Sequence, residues 1–125
     1  MNTKKPKSIA IHQPNFLPWI GFFYKWLQSD TFVLLDNVQF TKGGYTNRVK
    51  IKTPSGESWL TIPIKKKGNF GQEISEVEVH DEMDWKKQIL GSIQASYARS
   101  PFFKAYFPTL EEIILKNQTL LIDYN

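Results

Sequence analysis

The amino-acid sequence predicts an α/β fold in a single domain spanning residues 1–125, and three observations predict it. Two short apolar runs rich in β-branched residues, at 8–12 and 31–35, flank a segment whose apolar residues recur at helical spacing. Alternating stretches at 47–52, 57–64 and 74–80 mark further strands. The last third carries apolar residues at steps of three and four. A chain of 125 residues, 41% of them hydrophobic, can fill one core but is too short for two. With no cysteine, disulfides, thiolate zinc sites and cysteine nucleophiles are excluded, and stability must come from packing.

Residues 8–12 form the first strand, which stops at Gln13-Pro14. Pro14 and Pro18 fix their own φ and push the preceding residues out of the α region, so 13–18 reads as a stiff loop. Pro18 suits a first helical turn, and Phe22, Phe23, Trp26 and Leu27 continue a helix over 18–28 that Ser29-Asp30 closes. The second strand, 31–35, stops at Asp36-Asn37. A strand, a helix and a strand in this order give a Rossmann-like βαβ start with parallel strands.

Residues 47–52 and 57–64 surround the turn Thr53-Pro54-Ser55-Gly56 and predict a β-hairpin. After a basic, glycine-punctuated loop at 65–71, the alternation of 74–80 predicts one more strand extending the sheet. Two C-terminal helices follow. Trp85, Ile89, Ile93 and Tyr97 define the first, capped by Asp81 or Asp84 and ended by Arg99-Ser100-Pro101. The second is expected over 108–122, with Leu110, Ile113, Ile114 and Leu121 as its stripe. Asp123-Tyr124-Asn125 offers no strong cap and the stripe has no evident packing partner, so the domain is expected to be incomplete at its C-terminus. Further chain or a second subunit of a homo-oligomer would complete it.

The 16 Lys+Arg and 12 Asp+Glu are unevenly spread. Residues 1–67 hold 11 basic and 3 acidic residues, a net +8, whereas 68–125 hold 5 and 9, a net −4. A basic first half attracts phosphates, carboxylates or anionic lipid; the ordinary alternative is a solvated lysine face. The start lacks the apolar core of a signal peptide, and no apolar run is long enough to cross a bilayer. A cytoplasmic protein is the expectation.

In a parallel βαβ unit ligands sit beyond the C-terminal strand edges. His12-Gln13 and Asp36-Asn37 both fall there, and an imidazole beside a carboxylate makes a general base with its orienting partner. The ordinary alternative is a set of turn and capping residues. Residues 36–48 gather Lys42, Asn47 and Arg48 with Gly43-Gly44 and the aromatics Phe40 and Tyr45, a mixture suited to an anionic or sugar ligand; the alternative is a long exposed loop. Lys65-Lys66-Lys67-Gly68 lacks the glycine spacing of a phosphate loop and reads as a solvated hairpin end. Trp19, Trp26, Trp59 and Trp85 read mainly as core. His80 has no ligand-spaced neighbours, and neither a metal nor a cofactor is assigned.

The string Ala10-Ile11-His12-Gln13-Pro14-Asn15-Phe16-Leu17-Pro18-Trp19-Ile20-Gly21-Phe22-Phe23 resembles the WbqC-like family. So do Leu35-Asp36-Asn37-Val38-Gln39-Phe40, Gly44-Tyr45-Thr46-Asn47-Arg48, Trp59-Leu60-Thr61-Ile62-Pro63-Ile64 and Tyr97-Ala98-Arg99-Ser100-Pro101-Phe102-Phe103. The resemblance implies a bacterial protein of O-antigen or related surface-polysaccharide (lipopolysaccharide) biosynthesis, with glycine or another aminoacyl group transferred to a nucleotide-linked amino sugar. It also implies a longer protein, of which this chain would be an N-terminal fragment. The polar positions of these motifs are His12, Gln13, Asn15, Asp36, Gln39, Lys42, Asn47 and Arg48. A second likeness, to nucleotidyltransferases, places Trp19-Ile20-Gly21-Phe22 where a His-x-Gly-His signature belongs. Aromatics replace both histidines, so this likeness supports the topology and a sugar-nucleotide pocket but not adenylylation.

The resulting expectation is a transferase. His12 or Asp36 deprotonates the acceptor amine, Lys42 and Arg48 hold phosphate or carboxylate, and Asn15, Gln39 and Asn47 orient the sugar, with Gln13 also binding substrate. The substrate would be a sugar nucleotide or an activated amino acid; nucleic acid is not expected. The competing class is a non-catalytic protein that binds a sugar nucleotide or another anion.

Overall fold

Strands β1 (Ile9–His12) and β2 (Thr31–Leu34) pair in parallel because α1 (Ile20–Gln28) returns the chain between them. The computed structural model describes residues 6–66 and 71–125. Phe22 is the buried residue of α1, set edge-on to Phe32 with ring centroids 5.2 Å apart, while Trp26 stacks on Phe32 at 5.4 Å. Ser29 ends the helix by donating its backbone N–H to the Trp26 carbonyl. Asp30 then accepts both the backbone N–H and the hydroxyl of Ser8, tying the two strand entrances together. These bonds, the backbone one first, hold its carboxyl below the usual carboxylate range.

The hairpin forms as the alternation predicts. Strands β3 (Arg48–Thr53) and β4 (Gly56–Thr61) are antiparallel from Arg48↔Thr61 to Thr53↔Gly56, and Gly56 takes the φ of +120° that the tight turn requires. Residues directly opposite share a face. Val49 and Leu60 therefore both meet the core, while Lys50 and Trp59 share the outer face. Helix α2 (Trp85–Tyr97) buries Trp85, Ile89, Leu90 and Ile93 against the same core. Asp84 occupies its N-cap position without a side-chain cap bond; its carboxylate instead faces Lys87 at 3.2 Å.

Three expectations are corrected. The hairpin does not extend the parallel pair: β1–β2 and β3–β4 are separate two-stranded sheets. Residues 74–80 are not a strand. Ile74 and Val77 are both fully buried and lie three residues apart, so the chain turns through a short 3-10 helix, Ile74–Glu76, to present both to the core. Beyond it only isolated bridges form, Glu78 with Leu120 and Val79 with Ile64.

The third correction concerns the last helix, α3, which runs Phe103–Leu115 with Pro108 inside it. Its apolar stripe starts with Phe103 and Phe107, stacked at 4.5 Å, and continues through Leu110 to Ile114. The chain then leaves the helix and makes a 3-10 turn at Leu121–Tyr124. The end of the stripe does have something to pack on: Leu121 and Tyr124 are buried, and Leu121 donates its N–H to the Val77 carbonyl. Asn125 reaches back to the Thr46 carbonyl. Among the described residues no helix is long and apolar enough to cross a membrane.

Candidate functional site

Parallel pairing sets the first half of the site. His12 is the last residue of β1 and lies opposite Leu34, and the Leu35 N–H donates to the His12 carbonyl at 2.8 Å. Asp36 is the next residue, so imidazole and carboxylate leave the same edge of the sheet. The half-buried His12 ring stands edge-on to Phe22 at 5.0 Å. Its Nδ1 lies 2.7 Å from the Gln13 carbonyl oxygen. A carbonyl only accepts, so Nδ1 is the donor here, and in the neutral ring Nε2 is the nitrogen that carries the lone pair. The ring is thus oriented by Gln13. No hydrogen bond or ion pair joins it to Asp36 among the described residues. The backbone carbonyl of Asp36 is used by the Ser75 N–H, and its carboxylate is half-buried.

The loop after β1 builds the second half. Pro14 and Phe16 are buried, and the Phe16 N–H donates to the Tyr45 carbonyl at 2.9 Å, which fastens this loop to the segment leading into β3. Leu17 sits in the left-handed region, at φ 43°, immediately before Pro18. A leucine held there costs on the order of 1–3 kcal/mol and persists only where its surroundings impose it. Trp19 folds back over Gly21 so closely that a Cβ at Gly21 would clash with the indole. Between this loop and the hairpin runs a groove of about 350 Å³, walled by residues 15–19 on one side and by Tyr45, Val49 and Lys50 on the other. That volume falls in the range of small-molecule sites.

On the hairpin side, the Arg48 guanidinium lies 4.1 Å over the Trp59 ring and donates through one terminal nitrogen to the Gly43 carbonyl. Lys50 is also above Trp59, at 5.3 Å, and is ion-paired with Glu57 at 2.7 Å. The hydrogen bond to Glu57, reinforced by its charge, raises the Lys50 pKa. Tyr45 completes the patch, its ring centroid 5.8 Å from that of Trp59.

The residues singled out from sequence divide accordingly. Asn15 lines the groove, and Arg48 stands on the same strand as its Lys50 wall. Gln13, Gln39 and Lys42 are exposed, with no side-chain hydrogen bond among the described residues; Gln39 also pairs through its backbone with Glu73. Asn47 is buried, and its amide donates to the Ile62 carbonyl at 3.0 Å while Ile62 N–H returns a bond to the Asn47 carbonyl. Asn47→Ala should therefore cost about 1–3 kcal/mol in urea unfolding, the penalty for an unpaired buried acceptor; a change within 0.5 kcal/mol, about that of an ordinary surface substitution, would show that this bond holds nothing.

Trp59, Trp19 and Trp26, read from sequence mainly as core, are 39%, 69% and 51% exposed, and only Trp85 of the four is buried. Lys50 enters the site as a groove wall that the sequence did not single out, beside Tyr45 of the 36–48 segment. The signal for Lys50 was its place two residues from Arg48 on the polar side of an alternating strand. Part of the lysine-rich segment at 65–68 lies outside the described residues. Among those that are described, no group of three or more His, Cys, Asp or Glu side chains is gathered to hold a metal ion.

The sequence profile of the WbqC-like protein family matches residues 13–125. The chain is also similar to the uncharacterized protein Rv1507c of Mycobacterium tuberculosis (strain ATCC 25618 / H37Rv), at 36% identity over 112 residues. That match covers 90% of this chain and 48% of the relative, so the chain spans about half the length of the curated relative. No solved structure matches it significantly.

Proposed function

This chain belongs to the WbqC-like protein family, and from that premise we propose that it is a transferase moving an aminoacyl group, glycyl in the first instance, onto a nucleotide-linked amino sugar of surface-polysaccharide (O-antigen) biosynthesis in the cytoplasm. The observation that carries the reading is His12: its Nδ1 is committed to the Gln13 carbonyl, which leaves Nε2 as the basic position of the neutral ring, at a strand edge whose outgoing loop walls a groove of ligand size.

The amine of the acceptor attacks the carbonyl carbon of an activated aminoacyl donor. The new C–N bond forms, the bond to the donor's leaving group breaks, and His12 Nε2 takes the proton released from the amine. Asp36, on the same edge, offsets the positive charge that develops on the imidazole. Asn15 and Gln39 orient the sugar, Gln13 adds a further contact, and Lys42 and Arg48 hold its anionic group. The expected sugar contact of Asn47 gives way to a supporting role, its buried amide being bonded to the Ile62 carbonyl at the base of the hairpin. A homo-oligomer or further chain completing the domain belongs to the same proposal.

The test is turnover of a sugar nucleotide with an activated glycyl donor. His12→Ala should lower kcat by about 10²- to 10⁴-fold, the usual worth of a positioned general base, and Asp36→Ala should lower it less. Full activity in both variants, with folding intact by circular dichroism, rejects the assignment. The second reading, a binding protein without turnover, is favoured by the missing contact between His12 and Asp36. It predicts a ligand-dependent rise in Tm with no product.

A further inference from the structure

We propose that the outer face of the β3–β4 hairpin is a diphosphate subsite, in which Arg48 and Lys50 grip the two phosphates of a nucleoside-diphosphate sugar and Glu57 is the counter-ion that the ligand displaces. The inference rests on the reading of the groove as a sugar-nucleotide site and goes beyond it by naming the group recognised and the residues that recognise it.

Arg48 and Lys50 are two residues apart on one strand, so their side chains leave the same face roughly 7 Å apart. Trp59, opposite Lys50, lies under both: the guanidinium is 4.1 Å and the ammonium 5.3 Å from its ring centroid. One indole thus holds two cations close together. Such a pair favours a ligand carrying more than one negative charge, because each cation raises the potential at the other.

The guanidinium is already oriented. It is stacked on the indole and pinned through one terminal nitrogen to the Gly43 carbonyl, while its Nε is buried and has no partner among the described residues. A planar fork fixed in this way suits oxyanion recognition, since little freedom remains to be lost on binding. Lys50 also lines the groove, as Tyr45 and Trp19 do. A diphosphate held by Lys50 therefore borders the groove that Tyr45 and Trp19 also line.

Glu57 occupies the second cation meanwhile. Its pair with Lys50 is exposed on both sides, with side chains 44% and 73% accessible, so solvent and salt screen it. A polyanion that engages Arg48 as well as Lys50 has an advantage that a single carboxylate lacks. Displacing Glu57 needs no movement of the backbone.

Isothermal titration with inorganic pyrophosphate at low ionic strength tests this on the chain as it stands. Pyrophosphate should bind more tightly than inorganic phosphate and compete with a nucleoside-diphosphate sugar. Lys50→Ala and Arg48→Ala should each weaken pyrophosphate by about tenfold or more, as expected for a lost charge-assisted contact. Glu57→Gln should strengthen it by about two- to fivefold.

Equal affinity for phosphate and pyrophosphate, or pyrophosphate binding unchanged by the three variants, overturns the subsite. So does a weaker complex in Glu57→Gln, or preferential binding of a single-stranded oligonucleotide with a steep salt dependence. If sugar nucleotides still raise the Tm while pyrophosphate neither binds nor competes, the subsite fails and the groove reading stands. If no sugar nucleotide binds, the groove reading fails first.

Discussion

Replacing Phe16 by alanine is expected to lower the free energy of unfolding by about 3–5 kcal/mol and to abolish ligand-dependent stabilisation. Phe16 is 1% exposed and packs in the core cluster with residues of β4, α2 and α3. The substitution removes a whole aromatic ring from a site whose neighbours come from several elements and cannot all follow it inward. The loss therefore includes the cavity as well as the transfer of the ring. For a chain of this length, the Tm should fall by roughly 10–20 °C. Phe16 also lines the groove, and its N–H bond to Tyr45 joins the groove's two walls. Trp19→Ala is the control. Trp19 lines the same groove but is 69% exposed, so it should cost little stability while still weakening ligand. Urea unfolding of both variants decides: equal stabilities would mean that the loop is not anchored through Phe16.

The parts of the fold legible in the sequence were those where one face of one element settles the matter. Residues 8–12 and 31–35 read as strands because their apolar runs are short and bounded, and the helix between them leaves parallel pairing as the natural outcome. The hairpin was legible from Pro54-Ser55-Gly56 between two alternating stretches. Residues 74–80 misled because the alternation of 76–79 was real, whereas the requirement that Ile74 and Val77 enter one core is tertiary. Pro108 misled because proline favours a first turn; the stacked Phe103 and Phe107 ahead of it start the stripe instead.

The same division runs through the site. That His12 and Asp36 leave one sheet edge follows from strand order alone. That His12 is oriented by Gln13 does not, because it depends on how the proline loop turns. The groove was illegible for a stronger reason: its walls come from segments about thirty residues apart, joined through the Phe16–Tyr45 bond. Trp59 read as core because strand aromatics usually are, yet the register places it opposite Lys50, on the outer face.

Leu121→Ala is expected to cost about 2–5 kcal/mol, nearly as much as the loss of Phe16, although it lies only four residues from the C-terminal residue of the chain. A helix continuing to 122 would have left Leu121 at the far end of a stripe, where fraying makes substitutions inexpensive. The structure instead ends α3 at Leu115 and folds the chain back, so that Leu121 is fully buried and its N–H is bonded to Val77. The burial depends on the return path. Thr119 accepts the Val79 N–H, and the Tyr124 hydroxyl bonds to Lys116 and Gln118 backbone groups, closing the turn on itself. Leu115→Ala, at a position 49% exposed, should cost well under half as much. A helix running on to 122 would instead give the two leucines similar, small costs, so the ratio of the two unfolding free-energy changes separates the two geometries. A large ratio also requires that the segment holding Ile74 and Val77 be fixed from the C-terminal side, because Leu121 and Val77 share both a hydrogen bond and the core.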